Sequence, residues 1–493
     1  MILPGVIYPS RKHAAKVFEK FFQLNPNVYK TNNSNDSSAS SSNSLPAIYH
    51  EGSLTRFRDD TDRELPFHQE ANFMYLTGAS NLPGASVIVT LNSNFQKEQL
   101  NSKDNQLIRV TENDVETTLF IPTIDPIDVM WSGLPPSIQQ IRNRLSDLSE
   151  VRFKTELNDQ LQLLSSTTRL LTLPFISNPI ATSSEELLKA LHEARTTKTI
   201  EELQIMAHAN QISSGAHECV MRALNTDEIQ SESEAESIFL TECRRRGANY
   251  QAYEPIFAYG THAGTLHYIS NDSIFPKKFK GVILIDAGCE FLGYASDITR
   301  TLPLGNNGIF TDEARAIYSI VLEMQNVAIE NIKPGIEWEE IQILMHKVAA
   351  KGLLNLGVLC NLTIDECYEK GHVMPFFPHG VGHFLGLDTH DVGGLPRGKG
   401  KHPTLKYLRL QRKLEVGNVV TVEPGLYFNP FLLDPVKGSE FINQTILSGY
   451  IQVGGIRIED NVVVTETGCN NLTYSVKSIS EVEKLCSVNN KKT

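Results

Sequence analysis

The chain has 493 residues, 41% of them hydrophobic and 21% charged, a globular balance that predicts two domains with large cores. A formal net charge of −12 argues against a nucleic-acid-binding surface, which needs a basic stripe; the basic runs at 244–246 and 277–280 are too short to form one. Seven scattered cysteines without a C-x-x-C pair argue against a disulfide framework, no run approaches the roughly 18 apolar residues of a membrane span, and the start lacks the apolar core of a secretory signal, so a cytoplasmic protein is expected.

Residues 11–22 predict an amphipathic helix, with Ala14, Val17, Phe18, Phe21 and Phe22 at helical spacing. The segment TNNSNDSSASSSNS, 31–44, is too polar to pack and is expected as a disordered insertion. AIYHEG, MYLTG, SVIVTL and TTLFIP read as strands of one mixed sheet, interrupted by an Asn-rich surface loop near 93–113, and IQQIRNRLSDL and ELNDQLQLL read as helices. The pattern weakens through LPFISNPIATSS, where Pro174, Pro179 and the Ser/Thr cluster predict a linker, with Ser183 or Ser184 capping the next helix. Domains are therefore expected at 1–182 and 183–480, with a tail at 481–493.

The second half opens with the helices EELLKALHEARTT and IEELQIMAHANQISSGAHECVMRAL. It turns to strands at PIFAYGTH, GVILIDAG and YASDITRTL, and returns to helices over 312–332 and 338–356. It ends strand-rich, from GHFLG through VVTVEPGLYF to GIRIEDNVVVTE. This is an α+β pattern, with helices packed on one face of an antiparallel sheet.

Five side chains in this half sit in apolar or glycine-flanked segments: Asp286 (VILIDAG), Asp297 (YASDITR), His383 (PHGVGHFLG), Glu423 (VVTVEPG) and Glu459 (GGIRIED). A buried carboxylate is costly to ionise without a positive partner. Four of them with one imidazole call for more charge than an arginine supplies, which two divalent cations would provide, together with the means to activate a water. A hairpin bending near 290–293 would bring Asp286 and Asp297 side by side on neighbouring strands. In FFPHGVGHFLGLDTHDVGG the glycines disfavour a helix, so His379, His383 and His390 read as one ligand and two proton-handling or substrate-binding groups, not as a zinc-peptidase H-x3-H turn. Arg457 shares a strand face with Glu459, either orienting a carboxylate or anchoring a substrate carboxylate. His267, in GTLHY, could face the same pocket from a strand; His262 has a weaker claim.

Taken in order, the motifs ILIDAG, ASDITRT, PHGVGHFLGLDTHDVGG, VVTVEPGLYF and GGIRIEDNVVVTE resemble the pita-bread metallopeptidases, in their Xaa-Pro branch of aminopeptidase P and prolidase. RDDTDRELPFHQEANFMYLTG likewise resembles the creatinase-like α/β domain, with a mixed sheet, that precedes such catalytic domains. The resemblance implies a pita-bread fold with helices on a curved antiparallel sheet, two ions (usually Mn²⁺) on Asp286, Asp297, His383, Glu423 and Glu459, and proton handling by Glu423. It implies active-site roles for His267 and His390, a pocket role for His379, and Arg409 and Arg457 near the substrate's terminal carboxylate. The substrate would be a proline-containing di- or oligopeptide and the assembly a homodimer. Segments after DVGG and EPGLYF resemble prolidase, so Xaa-Pro dipeptides are the preferred expectation and aminopeptidase P activity on longer peptides the alternative. Creatinase shares the fold without the ligand set, and a non-catalytic pita-bread binding protein would be expected to lose ligands.

Overall fold

The computed structural model describes residues 3–26, 44–93, 95, 108–226, 229–394 and 402–487. The expected insertion at 31–44 lies outside them up to Asn43, as does most of the loop near 93–113. The described chain divides into two compact units, Met1–Arg195 and Thr196–Thr493.

Unit 1 begins with α1 (Ser10–Leu24), which buries the predicted stripe of Ala14, Val17, Phe18, Phe21 and Phe22. Its sheet contains β1 (Pro46–Glu51), β2 (Ser86–Leu91), β3 (Val115–Ile121), β4 (Glu150–Phe153), β5 (Arg169–Thr172) and β6 (Thr182–Ser183), in the order β4-β3-β2-β1-β5-β6. β1 runs antiparallel to β2 and parallel to β5, so the sheet is mixed as expected. MYLTG is not one of its strands. It lies in α2 (Ala71–Thr77), where the Glu70 carboxylate accepts from Phe73 N at 2.6 Å and Gly78, at φ +71°, ends the helix. A short apolar run has no decisive period, and here the caps decide. Further helices are α3 (Pro126–Ser132), α4 (Ile138–Arg144) and α5 (Leu157–Ser165). In α6 (Glu185–Thr196), Ser184 Oγ accepts from Leu187 N at 3.1 Å. Ala194 O accepts from Tyr75 and Arg195 donates to Asn72, which ties the end of this helix into unit 1.

Unit 2 carries α7 (Ile200–Ala223), α8 (Glu232–Arg245), α9 (Asp312–Asn331), α10 (Trp338–Asn355) and α11 (Ile479–Cys486). Its main strands are β7 (Tyr250–Gln251), β8 (Ile256–Tyr259), β9 (Lys280–Asp286), β10 (Cys289–Phe291), β11 (Tyr294–Ala295), β12 (Thr299–Gly305), β13 (Val419–Val422), β14 (Gly425–Tyr427), β15 (Gly455–Arg457), β16 (Asp460–Val464) and β17 (Cys469–Asn471). Their ladders are antiparallel: β8-β9-β12, β7-β10-β11, β13-β16-β17 and β14-β15. Leu292 and Gly293, both at positive φ, turn β10 into β11 where the bend was predicted. α7 backs this hairpin: Ser213 Oγ meets Ser296 Oγ at 2.8 Å, and His217, held neutral by burial, donates from Nε2 to Ala287 O at 2.9 Å. Among the described residues no helix is long and apolar enough to cross a membrane.

Candidate metal centre

The acids project from strand ends, where the chain leaves the ladder but stays fixed by it. Asp286 closes β9 and pairs with Thr299 of β12. Asp297 lies in the link between β11 and β12, so it is beside a strand and not within one. Its backbone is clamped by Asn461, which accepts from Asp297 N at 3.0 Å and donates to Asp297 O at 2.6 Å. Glu423 follows β13, and Glu459 lies between β15 and β16, its N–H donating to Thr299 O at 3.0 Å. Arg300, fully buried, holds the far side of this link by donating to the Glu459 and Thr299 carbonyls and pairing with Asp460 at 2.7 Å.

The histidine segment lies along β13 without being a helix, as its glycines predicted. Glu423 N donates to Val381 O, Thr421 N donates to His383 O, and His383 N donates to Thr421 Oγ1. Gly382 permits this approach, because a Cβ there would sit 2.0 Å from Thr421 O. α10 fixes the other side: Trp338 Nε1 donates to Gly382 O, and Gln342 accepts from Val381 N and donates to His379 O.

These elements bring His383 Nε2 to 3.5 Å from Asp297 and 3.6 Å from Glu423. His383 Nδ1 meets Phe384 O at 2.9 Å, which leaves Nε2 as the nitrogen facing the acids. Ligand atoms of Asp297, His383 and Glu459 all lie within 4.8 Å of one another. Glu459 Oε2 accepts from Thr299 Oγ1 at 2.7 Å, while its buried Oε1 has no hydrogen-bond partner among the described residues. An orphaned buried carboxylate oxygen is expensive. Together with oxygen and imidazole donors in one cluster, it fits a hard or borderline divalent cation.

The electrostatics agree. Burial pushes the carboxyls of Asp286, Glu423 and Glu459 upward, Glu423 to about 7, with neighbouring carboxylates adding to the rise. Burial raises Asp297, but the hydrogen bond and charge of His383, with help from Tyr253 and His390, bring it below its ordinary range; burial lowers His383, but Asp297, Glu423 and the Phe384 carbonyl together raise it. Burial and Arg457 hold His379 down to about 3. Neutral His379 meets Tyr427 OH through Nε2 and Gly380 O through Nδ1, both at 2.8 Å.

The remaining predicted residues separate into two groups. His390 is exposed, edge-on to His383 with ring centroids 4.4 Å apart. His267 is also exposed and lies in a turn, not the predicted strand. Arg409 is partly buried and helps depress His390 after burial and His383. Of the two readings of Arg457, its contacts support the orientation of a carboxylate. It is buried, and its three nitrogens donate to Asp286 (2.6 Å), Tyr427 OH (2.9 Å) and Thr299 Oγ1 (3.1 Å), which fits orientation of Asp286. His262 pairs with Glu232. Sequence reasoning missed Tyr253, whose OH donates to Asp286 Oδ1 at 2.6 Å, and Thr299 and Tyr427. Thr299 and Tyr427 stand inside the motifs already singled out, but nothing in QAYEP marks Tyr253.

Antiparallel ladders presenting buried acids from their strand ends, with one imidazole from the strip along β13, define a metal-dependent hydrolase of the pita-bread type. Residues 204–466 match the metallopeptidase family M24 and residues 36–171 match the aminopeptidase P N-terminal domain. The chain belongs to metallopeptidase family M24. Among curated proteins it is 39% identical to a probable Xaa-Pro aminopeptidase PEPP of Paracoccidioides brasiliensis (strain Pb03), over 98% of this chain and 97% of that one. It is likewise 39% identical to the protein of that name from Podospora anserina, over 97% of each chain. Among solved structures it resembles proline aminopeptidase P II from Yersinia pestis, with TM-score 0.73, 27% identity, and 97% of this chain and 99% of that chain covered. E. coli aminopeptidase P with the inhibitor Pro-Leu gives TM-score 0.71 at 27% identity, with the same coverage. These relatives favour the aminopeptidase alternative over the dipeptidase preference drawn from the sequence.

Proposed function

We propose that the chain is a two-metal Xaa-Pro aminopeptidase that removes the residue preceding a penultimate proline. The observation that carries this reading is the convergence of Asp297, His383 and Glu459, with the Glu459 carboxylate oxygen left unpartnered among the described residues, in a chain whose relatives bear that activity in their names. Asp286, Asp297, His383, Glu423 and Glu459 would hold two divalent ions, with manganese the preferred metal. Bound there, such ions polarise a peptide carbonyl and make a water acidic enough to ionise near neutral pH.

The chain's own residues do the rest. Glu423 is more exposed than Asp286 and Asp297 (side chains 20% against 12% and 7%) and far more than Glu459, which supports giving it the task of accepting and returning a proton. His390, edge-on to His383, and His267, in its exposed turn, would donate to the carbonyl oxygen as charge develops on it. Neutral His379, held by Tyr427, would line the substrate pocket. An Xaa-Pro bond has no N–H to bind, so recognition must come from the proline ring and the free amino end. Arg409 would take a substrate carboxylate. A cytoplasmic location and a homodimer belong to the same proposal.

The test is hydrolysis of Ala-Pro-Ala together with metal analysis of the purified protein. Two bound ions per chain are expected, and Asp297→Asn should lose metal and reduce kcat/KM by on the order of a hundredfold or more. A metal-free protein whose activity survives Asp297→Asn would end this reading.

A further inference from the structure

The segment that carries His267 is exposed at its tip, yet its two limbs are pinned by one buried acid, Glu232, the first residue of α8. Glu232 is 0% exposed. Its Oε1 accepts from Tyr259 N and meets His262 Nδ1, both at 3.0 Å, on the limb that leads into the segment. Its Oε2 accepts from Tyr268 OH at 2.9 Å and Ser273 N at 3.0 Å on the limb that leads out. Glu232 N returns a bond to Ser273 O at 3.0 Å. The rings of His262 and Tyr268 stack across the two limbs, with centroids 4.6 Å apart. The incoming limb is further fixed by Asn429, beyond β14, which donates to Gly264 O at 2.9 Å. Four donors satisfy both oxygens, and the N-terminal end of α8 favours a negative charge at this position.

We infer that Glu232 is a positioning residue for the candidate active site: it closes the 259–273 segment so that His267 is presented to substrate at a fixed place. The inference rests on the role given to His267 in the proposed function. Glu232→Gln keeps the shape but turns one acceptor into a donor. One limb then faces donor against donor, and the segment opens.

The test is a double-mutant cycle with His267→Ala, read as kcat/KM on Ala-Pro-Ala, with bound metal and Tm measured on every protein. Glu232→Gln should lower kcat/KM roughly 10- to 100-fold with metal content retained, and should change it less than about twofold once His267 is alanine. An equal factor in both backgrounds, or no effect of Glu232→Gln beside a large effect of His267→Ala, would overturn the inference and leave the proposed function standing. No effect of His267→Ala would instead overturn the role given to that histidine, and this inference with it. Should Glu232→Gln fail to fold, Tyr268→Phe, which removes one of the four donors, is taken through the same cycle. A loss that disappears in the His267→Ala background supports the inference, and one that persists there overturns it.

Discussion

A glutamate whose folded pKa exceeds its unfolded value destabilises the fold once it ionises. For Glu423, raised from 4.5 to about 7, the cost is absent below the lower value and grows as pH rises towards the upper one. Asp286 and Glu459 act in the same direction. Asp297, held low, contributes stability that is already present above its ordinary 3.8, and raised His383 contributes stability that is lost only as pH climbs through its folded pKa. The metal-free protein should therefore lose stability between about pH 4.5 and pH 7, and cations that bind the ionised acids should restore more at about pH 7.5 than at about pH 5.5. Calorimetric Tm with and without chelator reads this difference; a gap that narrows with rising pH would contradict it. At this scale the acids were legible because ionisable groups inside VILID and VVTVE have no apolar reason to be there. Tyr253 was not legible, since a tyrosine in QAYEP is equally at home in any loop and only the fold brings it to Asp286.

The histidine segment is a strand-like strip that glycine makes possible. At Gly382 an added Cβ would meet the backbone oxygen of Thr421 at 2.0 Å, and a backbone atom in a ladder cannot swing aside as a side chain can. Gly382→Ala should lift the strip from β13, displace His383, and cost about 1–3 kcal/mol of stability with roughly tenfold or greater loss of metal affinity. Denaturation and metal titration calorimetry check both; native affinity in the variant would show that the approach is not needed. Long helices such as α7, α9 and α10 were legible because their apolar period runs for several turns. MYLTG was not, because seven residues leave the period ambiguous and the caps at Glu70 and Gly78 settle it. α8 had a readable start, Ser231 accepting from Glu234 N, but its apolar stripe is thin and the sequence reading passed over it.

At the scale of the whole chain, the family was legible and the substrate length was not. The ordered motifs span most of unit 2 and report the metal chemistry, whereas dipeptide or longer peptide depends on what meets the substrate beyond proline. The dipeptidase preference leaned on the segments after DVGG and EPGLYF, part of the first of which (395–401) lies outside the described residues, and on Arg409 and Arg457. With Arg457 committed to Asp286, Tyr427 and Thr299, Arg409 is left as the predicted arginine for a substrate carboxylate. In Ala-Pro the carboxylate directly follows the ring; in Ala-Pro-Ala that position is a neutral peptide group and the charge lies one residue further out. An aminopeptidase gains from the added residue, so kcat/KM for Ala-Pro-Ala should exceed that for Ala-Pro by roughly tenfold or more. Arg409→Ala should raise KM for Ala-Pro by about tenfold, a charge-assisted pair's worth, and change the tripeptide value by less than about threefold. Efficient turnover of Ala-Pro beside poor turnover of Ala-Pro-Ala would return the chain to the dipeptidase reading. Equal sensitivity of the two substrates to Arg409→Ala would place that arginine away from the carboxylate, for instance in the electrostatics of His390.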